Sequence, residues 1–495
     1  MTSTLLRRAR LAHEDAVQDV LVLSADVTAI GSTDSRPDVS DVIDLDGRFV
    51  LPALWDRHVH FEQWAQATAR LDLSGADTAA AAVRVVAGSI ANRPPARGAT
   101  VIGFGFRAAL WPSPPSRDML DAVSGEIPVV LISADLHSAW LNSAALRRFG
   151  HSDDASGLLR EDDAMRVIGE SRNADAETMD AWCHSAARAA AARGVVGIVD
   201  MEKPWSLAAW TRRMAAGTYS LRVASAVWPE RLDDAIAQSL RTGQAVDGTD
   251  GLLTVGPFKV ISDGSLNTRT AFCHDPYAVS SGAGDERGML LVSLDALSTL
   301  MRRATDAGFD CAVHAIGDAA NALALQAFAR TGARGSVEHA QLLDDADVQR
   351  FAELGVIASV QPEHLLDDRD VTDRYWADRA QRTFPFRSLL DAGATLAFGS
   401  DAPVAPLDPW LAIAAAVHRS RDERPRWHPE QEITVHEALA ASMPPGRRDL
   451  TLRAGDAADL IVLDRDPFTA EPEALRTMPV AATMLAGAWT HRAGV

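Results

Sequence analysis

A chain of 495 residues with 47% hydrophobic and 23% charged side chains is too long for one small core and has the make-up of an ordinary globular protein. Its formal net charge of −19, from 67 acidic against 48 basic residues, argues against partnership with a nucleic-acid backbone or an anionic membrane surface. Cys183, Cys273 and Cys311 lie far apart, which excludes a disulfide framework or a Cys-x-x-Cys metal knuckle and suits a reducing compartment.

The first fifty residues read as short strands, "DVLVLSADVTAIGS" and "DVIDLDGRFVLP", punctuated by Asp, Gly and Ser. The opening "MTSTLLRRARLAHEDAV" lacks an apolar signal core, and no run approaches the roughly 18 to 20 apolar residues that span a bilayer, so a cytoplasmic protein without a membrane segment is expected. The C-terminus repeats the strand pattern in "GDAADLIVLDRDPF" and "VAATMLAGAWTHRAG". Neither end can form a stable sheet alone, so residues 1–50 and 446–495 are expected to pair into one composite β-sandwich domain.

Next comes "LPALWDRHVHF". Side chains alternate along a strand, so His58 and His60 face the same side and can share a cation, while Arg57 should point away. Counting this one, ten apolar runs alternate with Ala-rich helical stretches, the mark of βα units and a parallel sheet. "GATVIGFGF" and "IPVVLISAD" fall within residues 71–193, read as an inserted α/β lobe near the active site. Eight strands remain for a (β/α)8 barrel, an α/β TIM barrel over 51–70 and 194–445.

Chemical side chains fall at the C-terminal ends of those eight strands, where such barrels build active sites. They are His58 and His60 on strand 1, Lys259 on strand 4, His314 on strand 5, His339 on strand 6 and Asp401 after strand 8. Each has an ordinary explanation alone: a core imidazole, a snorkelling lysine, a helix N-cap. Together they would bury four imidazoles, an ammonium and a carboxylate in an apolar mouth with no cation to organise them. The donor types suit zinc or a similar divalent metal. Asp263 shares the strand parity of Lys259 and is a competing inward carboxylate.

"DRHVHF", "HSAWLNSAAL", "FKVISDGSLNTRTA", "HAIGD", "EHAQLLDDADVQRFAELGVIASVQPEH", "FGSDAPV" and "LRAGDAADLIVLDRDP" spread over almost the whole length. In these stretches the chain resembles the amidohydrolase superfamily, in the branch typified by N-substituted formamide deformylases. The resemblance implies a metal-dependent hydrolase that cleaves a carbon–nitrogen bond, an amide or N-formyl bond other than a peptide bond, of a small molecule. It further implies that His58 and His60 bind the more buried of one or two metals and His314 and His339 the more exposed. Lys259, carboxylated by carbon dioxide, would bridge them, and Asp401 would bind metal and shuttle the proton. Relatives carry a small residue where this chain has Arg57.

For substrate contacts the candidates are Trp111, His137 and Trp140 in the lobe, His364 and Trp376 after strand 7, and Arg269, which either orients a substrate or pairs with Asp263. Asp318 in "HAIGD" and Asp263 are expected behind the ligands, Asp318 holding an imidazole tautomer. A homodimer is compatible with this reading. Two rivals remain. A one-metal deaminase would carry His-x-x-Glu, and neither His314 nor His339 is followed that way. A non-catalytic binding protein on the same scaffold should have lost ligands, and none is lost.

Overall fold

Eight short parallel strands position the site: Leu54–Val59, Val195–Asp200, Arg222–Val227, Leu253–Ile261, Cys311–Ala315, Gly335–His339, Ile357–Val360 and Thr395–Phe398. They are numbered one to eight below and pair in that order. This computed structural model describes residues 3–495 except 13–15, 32–38, 93, 96–97, 107–110, 134–137, 173–174, 204, 218–219, 268 and 279–285. Helices cover the outside of the sheet, so its strands are buried on both faces and read as continuous apolar runs. "VVGIVD", the second strand, is buried at all six positions.

The covering helices have local reasons to begin and end. Ser293 caps Leu294–Asp306 by accepting the Ala296 N–H, and Thr434 with Glu437 forms a capping box on Val435–Ala441. Gly332 and Gly355 end Asp318–Thr331 and Asp345–Leu354 in the left-handed conformation that suits glycine.

Strand register decides which side chains share the barrel interior. Lys259 pairs with Ala312, and Ala312 with Ser336. One row up, Ile261 pairs with His314, His314 with Glu338, and Glu338 with Ser359. Paired residues of a parallel sheet point the same way, so Lys259, His314 and Glu338 face inward together.

The ring closes between strands eight and one. The Asp401 N–H donates to the His58 carbonyl (2.7 Å), and the His60 N–H donates to the Ala402 carbonyl (2.9 Å). Asp56 braces this seam by accepting from the N–H groups of Ser400 (3.0 Å) and His58 (3.1 Å). Gly399 lies so near that a Cβ there would fall 2.6 Å from His58 Cβ and its backbone nitrogen, so only glycine fits.

Both chain ends contribute to a single eight-stranded sheet. Phe49–Pro52, from the N-terminal part, pairs with Ser3–Leu11 on one side and antiparallel with Leu460–Leu463 on the other. Leu6, Val20, Val22, Leu460, Val462 and Met484 are among its buried core.

Two compact units are present, Met1–Trp64 with Ala187–Val495, and Ala65–Ala186. The second begins and ends a few residues earlier than the 71–193 expected. It holds a five-stranded sheet that includes Val101–Phe106 and Val129–Ser133, the two runs set aside from the barrel. No described helix is long and apolar enough to cross a membrane.

Beyond strand two, Asp200 accepts from Trp210 Nε1 (2.7 Å) and Ser206 Oγ (2.7 Å). Glu202 accepts from the Gln63 N–H (3.1 Å) and Nε2 (2.9 Å). Burial and the Asp200 charge push the Glu202 carboxyl up to about 7. A raised folded pKa means that the native state keeps a proton the unfolded chain has released, so this contribution to stability is full below the unfolded value of 4.5 and is lost as pH rises through about 7. We expect Glu202→Gln to flatten that loss: its Tm advantage over the native protein should grow from pH 5 to pH 8, by up to about 3 kcal/mol of stability. Parallel Tm curves for the two proteins would show that Glu202 does not titrate in this window.

Candidate metal centre

Strand one delivers His58 and His60 to the same side, with ring centroids 5.8 Å apart. Both Nε2 atoms lie 3.5 Å from Asp401 Oδ1, and these three residues bring their donor atoms within 4.8 Å of one another. His339, His364 and Asp401 form a second such group, so Asp401 belongs to both. Its backbone sits at φ 56°, and strand six ends with His339 at φ 73° and Ala340 at φ 42°. Such left-handed backbone in non-glycine residues is costly and concentrates at functional sites. The kink lets His339 follow the inward Glu338 and still join the cluster.

His314 lies 4.4 Å from His339 between ring centroids. Its Nε2 faces the Gly264 carbonyl at 3.3 Å, so an Nε2–H there would donate to Gly264 and leave Nδ1 bare. Lys259 is only 2% exposed, and its Nζ has no hydrogen-bond partner. Nδ1 of His339 and Nε2 of His364 are likewise buried and unpartnered. Buried polar atoms are rarely left unsatisfied, and orphans on two histidines grouped with one carboxylate fit a bound cation.

Electrostatics favour the neutral imidazoles that metal ligation requires. Burial, then the Lys259 charge, lowers His58 far below its ordinary range and His60 to about 4. The same two causes lower His314 to about 3. Burial and the neighbouring His314 push His339 far down. Burial also depresses Lys259, against the opposing pull of Glu338 and Asp401, and raises Asp401, against His364 and Lys259.

Several candidates take other places. Asp263 accepts the N–H groups of Phe272 (2.9 Å), Ile316 (3.1 Å) and Gly317 (3.0 Å), tying the loop after strand four to the end of strand five. It lies 3.5 Å from His314 Nε2, and burial lifts it to about 7. Asp318 holds no imidazole: it accepts the His274 N–H (2.9 Å) and pairs with Arg382 (3.2 Å), because it starts a helix that packs against a distant loop. Arg269 lies over the Tyr375 ring (5.4 Å) rather than on Asp263.

The tryptophans are core rather than pocket wall. Trp376 is fully buried and stacked on Tyr277, 6.0 Å between centroids. Trp111 and Trp140 lie in the core of the 65–186 unit, donating to the Ala76 and Ser116 carbonyls. His137 lies outside the described residues. His364, expected as a substrate contact, stands in the second donor group, stacked on His339 at 6.2 Å.

Sequence reasoning missed Glu338, whose Oε2 is 2.6 Å from His58 Nδ1. The strand pattern hid it, because alternation gives Glu338 and His339 opposite sides and His339 is the one read as a ligand. Arg57 Nε is buried and unpartnered, and burial lowers its guanidinium to about 10.

An amidohydrolase family model matches residues 41–491. N-substituted formamide deformylase from Arthrobacter pascens is 25% identical over 522 residues, covering 96% of this chain and 95% of its own. LONG AFTER FAR-RED 3 from Arabidopsis thaliana is 28% identical over 476 residues, covering 86% and 79% respectively. The crystal structure of an uncharacterized metal-dependent hydrolase from Pyrococcus horikoshii superposes with a TM-score of 0.75 at 26% identity, over 95% of this chain and 99% of that one. Because the family match runs through the barrel, the 65–186 unit and much of the terminal sheet, the chain belongs to the amidohydrolase family.

Proposed function

We propose that this protein hydrolyses a carbon–nitrogen bond of a small amide other than a peptide, with N-formyl amines as the first substrate class to try, and that it uses a divalent metal to do so. The observation that supports this most is the sharing of Asp401 between two groups of imidazoles at the mouth of the barrel. The formyl preference leans on the relative named N-substituted formamide deformylase.

His58, His60 and Asp401 would hold one ion. His339, His364 and Asp401, with His314 and Lys259 beside them, would hold another, and zinc suits these donors. When bound, such a cation supplies Lewis acidity toward water and toward a carbonyl oxygen. Asp401 accepts the proton of the attacking water on a carboxylate oxygen and passes it to the departing nitrogen, so that the C–N bond breaks to a carboxylate and an amine. Burial, which raises its proton affinity, suits that role. Lys259 contributes as a carbamate: its neutral amine adds to carbon dioxide with release of one proton, turning a repelling cation into an anionic donor. Its unpartnered Nζ and depressed pKa support that step.

The test pairs metal analysis of gently purified protein with a panel of N-formyl amines and other amides. Bound metal, turnover of the formyl substrates and loss of turnover on chelation are expected. Turnover of other amides alone would remove the formyl assignment. A metal-free protein with chelator-insensitive turnover would remove the metal-dependent reading.

A further inference from the structure

The carboxylate nearest the centre that the proposed reaction leaves idle is Glu338. It is 1% exposed, as is its partner His58, and its Oε2 lies 2.6 Å from His58 Nδ1. The other oxygen, Oε1, accepts the Ser336 hydroxyl from the residue two before it on the same strand. With a donor on each oxygen, the carboxylate has little freedom to turn toward a cation itself.

We propose that Glu338 is a positioning residue of the metal centre, holding His58 as the Nδ1–H tautomer with its Nε2 lone pair turned to Asp401. The inference rests on the metal-dependent reading above. A hydrogen bond donated by His58 to Glu338 Oε2 puts the ring proton on Nδ1 and leaves Nε2 as the donor atom. His58 Nε2 stands 3.5 Å from Asp401 Oδ1, as a ligand atom in that group should. Carboxylate partners of this kind fix the ring and raise its basicity as a ligand.

A contrast within the same motif supports the assignment. His60 points its Nε2 at the same Asp401 oxygen, yet its Nδ1 is buried with no partner. One histidine of the pair is therefore clamped and the other is free to adjust, so the clamped ring sets where the first cation sits.

Cobalt(II) is the probe. Titrated into the metal-free protein, it should bind about 10- to 100-fold more weakly to Glu338→Ala, with shifted d–d bands, while the thermal unfolding of the metal-free variant shows a folded chain. Glu338→Gln, whose amide oxygen can still accept from Nδ1, should fall between the two. If Glu338→Ala does not fold, the native protein answers directly: in 15N-histidine spectra the resonance lost in His58→Asn should report a protonated Nδ1 and a bare Nε2. Native-like cobalt affinity and bands in a folded Glu338→Ala, or an Nε2–H tautomer in the native protein, would overturn the assignment. A native protein that binds no cobalt would instead remove the metal-dependent reading beneath it.

Discussion

Lys259→Ala is expected to lower bound metal from about two ions per chain to one or none while leaving the metal-free fold at least as stable. The two halves of that expectation rest on the same observation. Lys259 is buried in the barrel with no acceptor for its Nζ. A lysine kept for stability would pair with a carboxylate, and losing it would cost stability. One that serves as a donor after carboxylation leaves an unsatisfied group behind when the metal is removed, so its deletion relieves the metal-free protein. Elemental analysis with and without bicarbonate during purification, beside Tm values of the metal-free proteins, measures both. Equal metal content in the two proteins would remove Lys259 from the donor set, and a large fall in the metal-free Tm would make it structural.

Asp401→Asn should reduce kcat by about 10²- to 10⁴-fold on any amide that the native protein turns over. Asparagine is the informative replacement because Asp401 sits at φ 56°, a conformation that asparagine tolerates and most other residues resist. The backbone bond from the Asp401 N–H to the His58 carbonyl can therefore persist, and the loss falls on the carboxylate alone. Both donor groups share that carboxylate, so metal affinity should fall with turnover. A kcat within tenfold of native would assign the proton transfer to another group.

Much of this centre was legible in the sequence because barrel strands end where chemistry is placed. Counting eight apolar runs put His58, His60, Lys259, His314, His339 and Asp401 at the right strand ends. The adjacent pair Glu338–His339 defeated the strand pattern: alternation allows one inward residue of two, and the left-handed turn at His339 that brings both to the site has no glycine to announce it. His364, read as a substrate contact, begins a helix rather than ending a strand, so counting strand ends did not group it with the other histidines. The tryptophans were overvalued for the opposite reason, since large aromatics fill cores as readily as pockets. Asp318 finds Arg382 64 residues away, a tertiary pairing that local pattern does not encode.

The seam that closes the barrel joins positions 344 residues apart in the chain, as the Asp56–Ser400 bond shows. Bringing such distant segments together carries the entropy of a very long loop. The terminal sheet lessens that cost: Phe49–Pro52 runs directly into strand one, and its partner Leu460–Leu463 lies downstream of strand eight. It works as a clasp that holds the two ends of the ring in reach of each other. The donor atoms of His58 and His60 meet Asp401 across that seam, so trimming the last strands would loosen the barrel first where these three side chains come together.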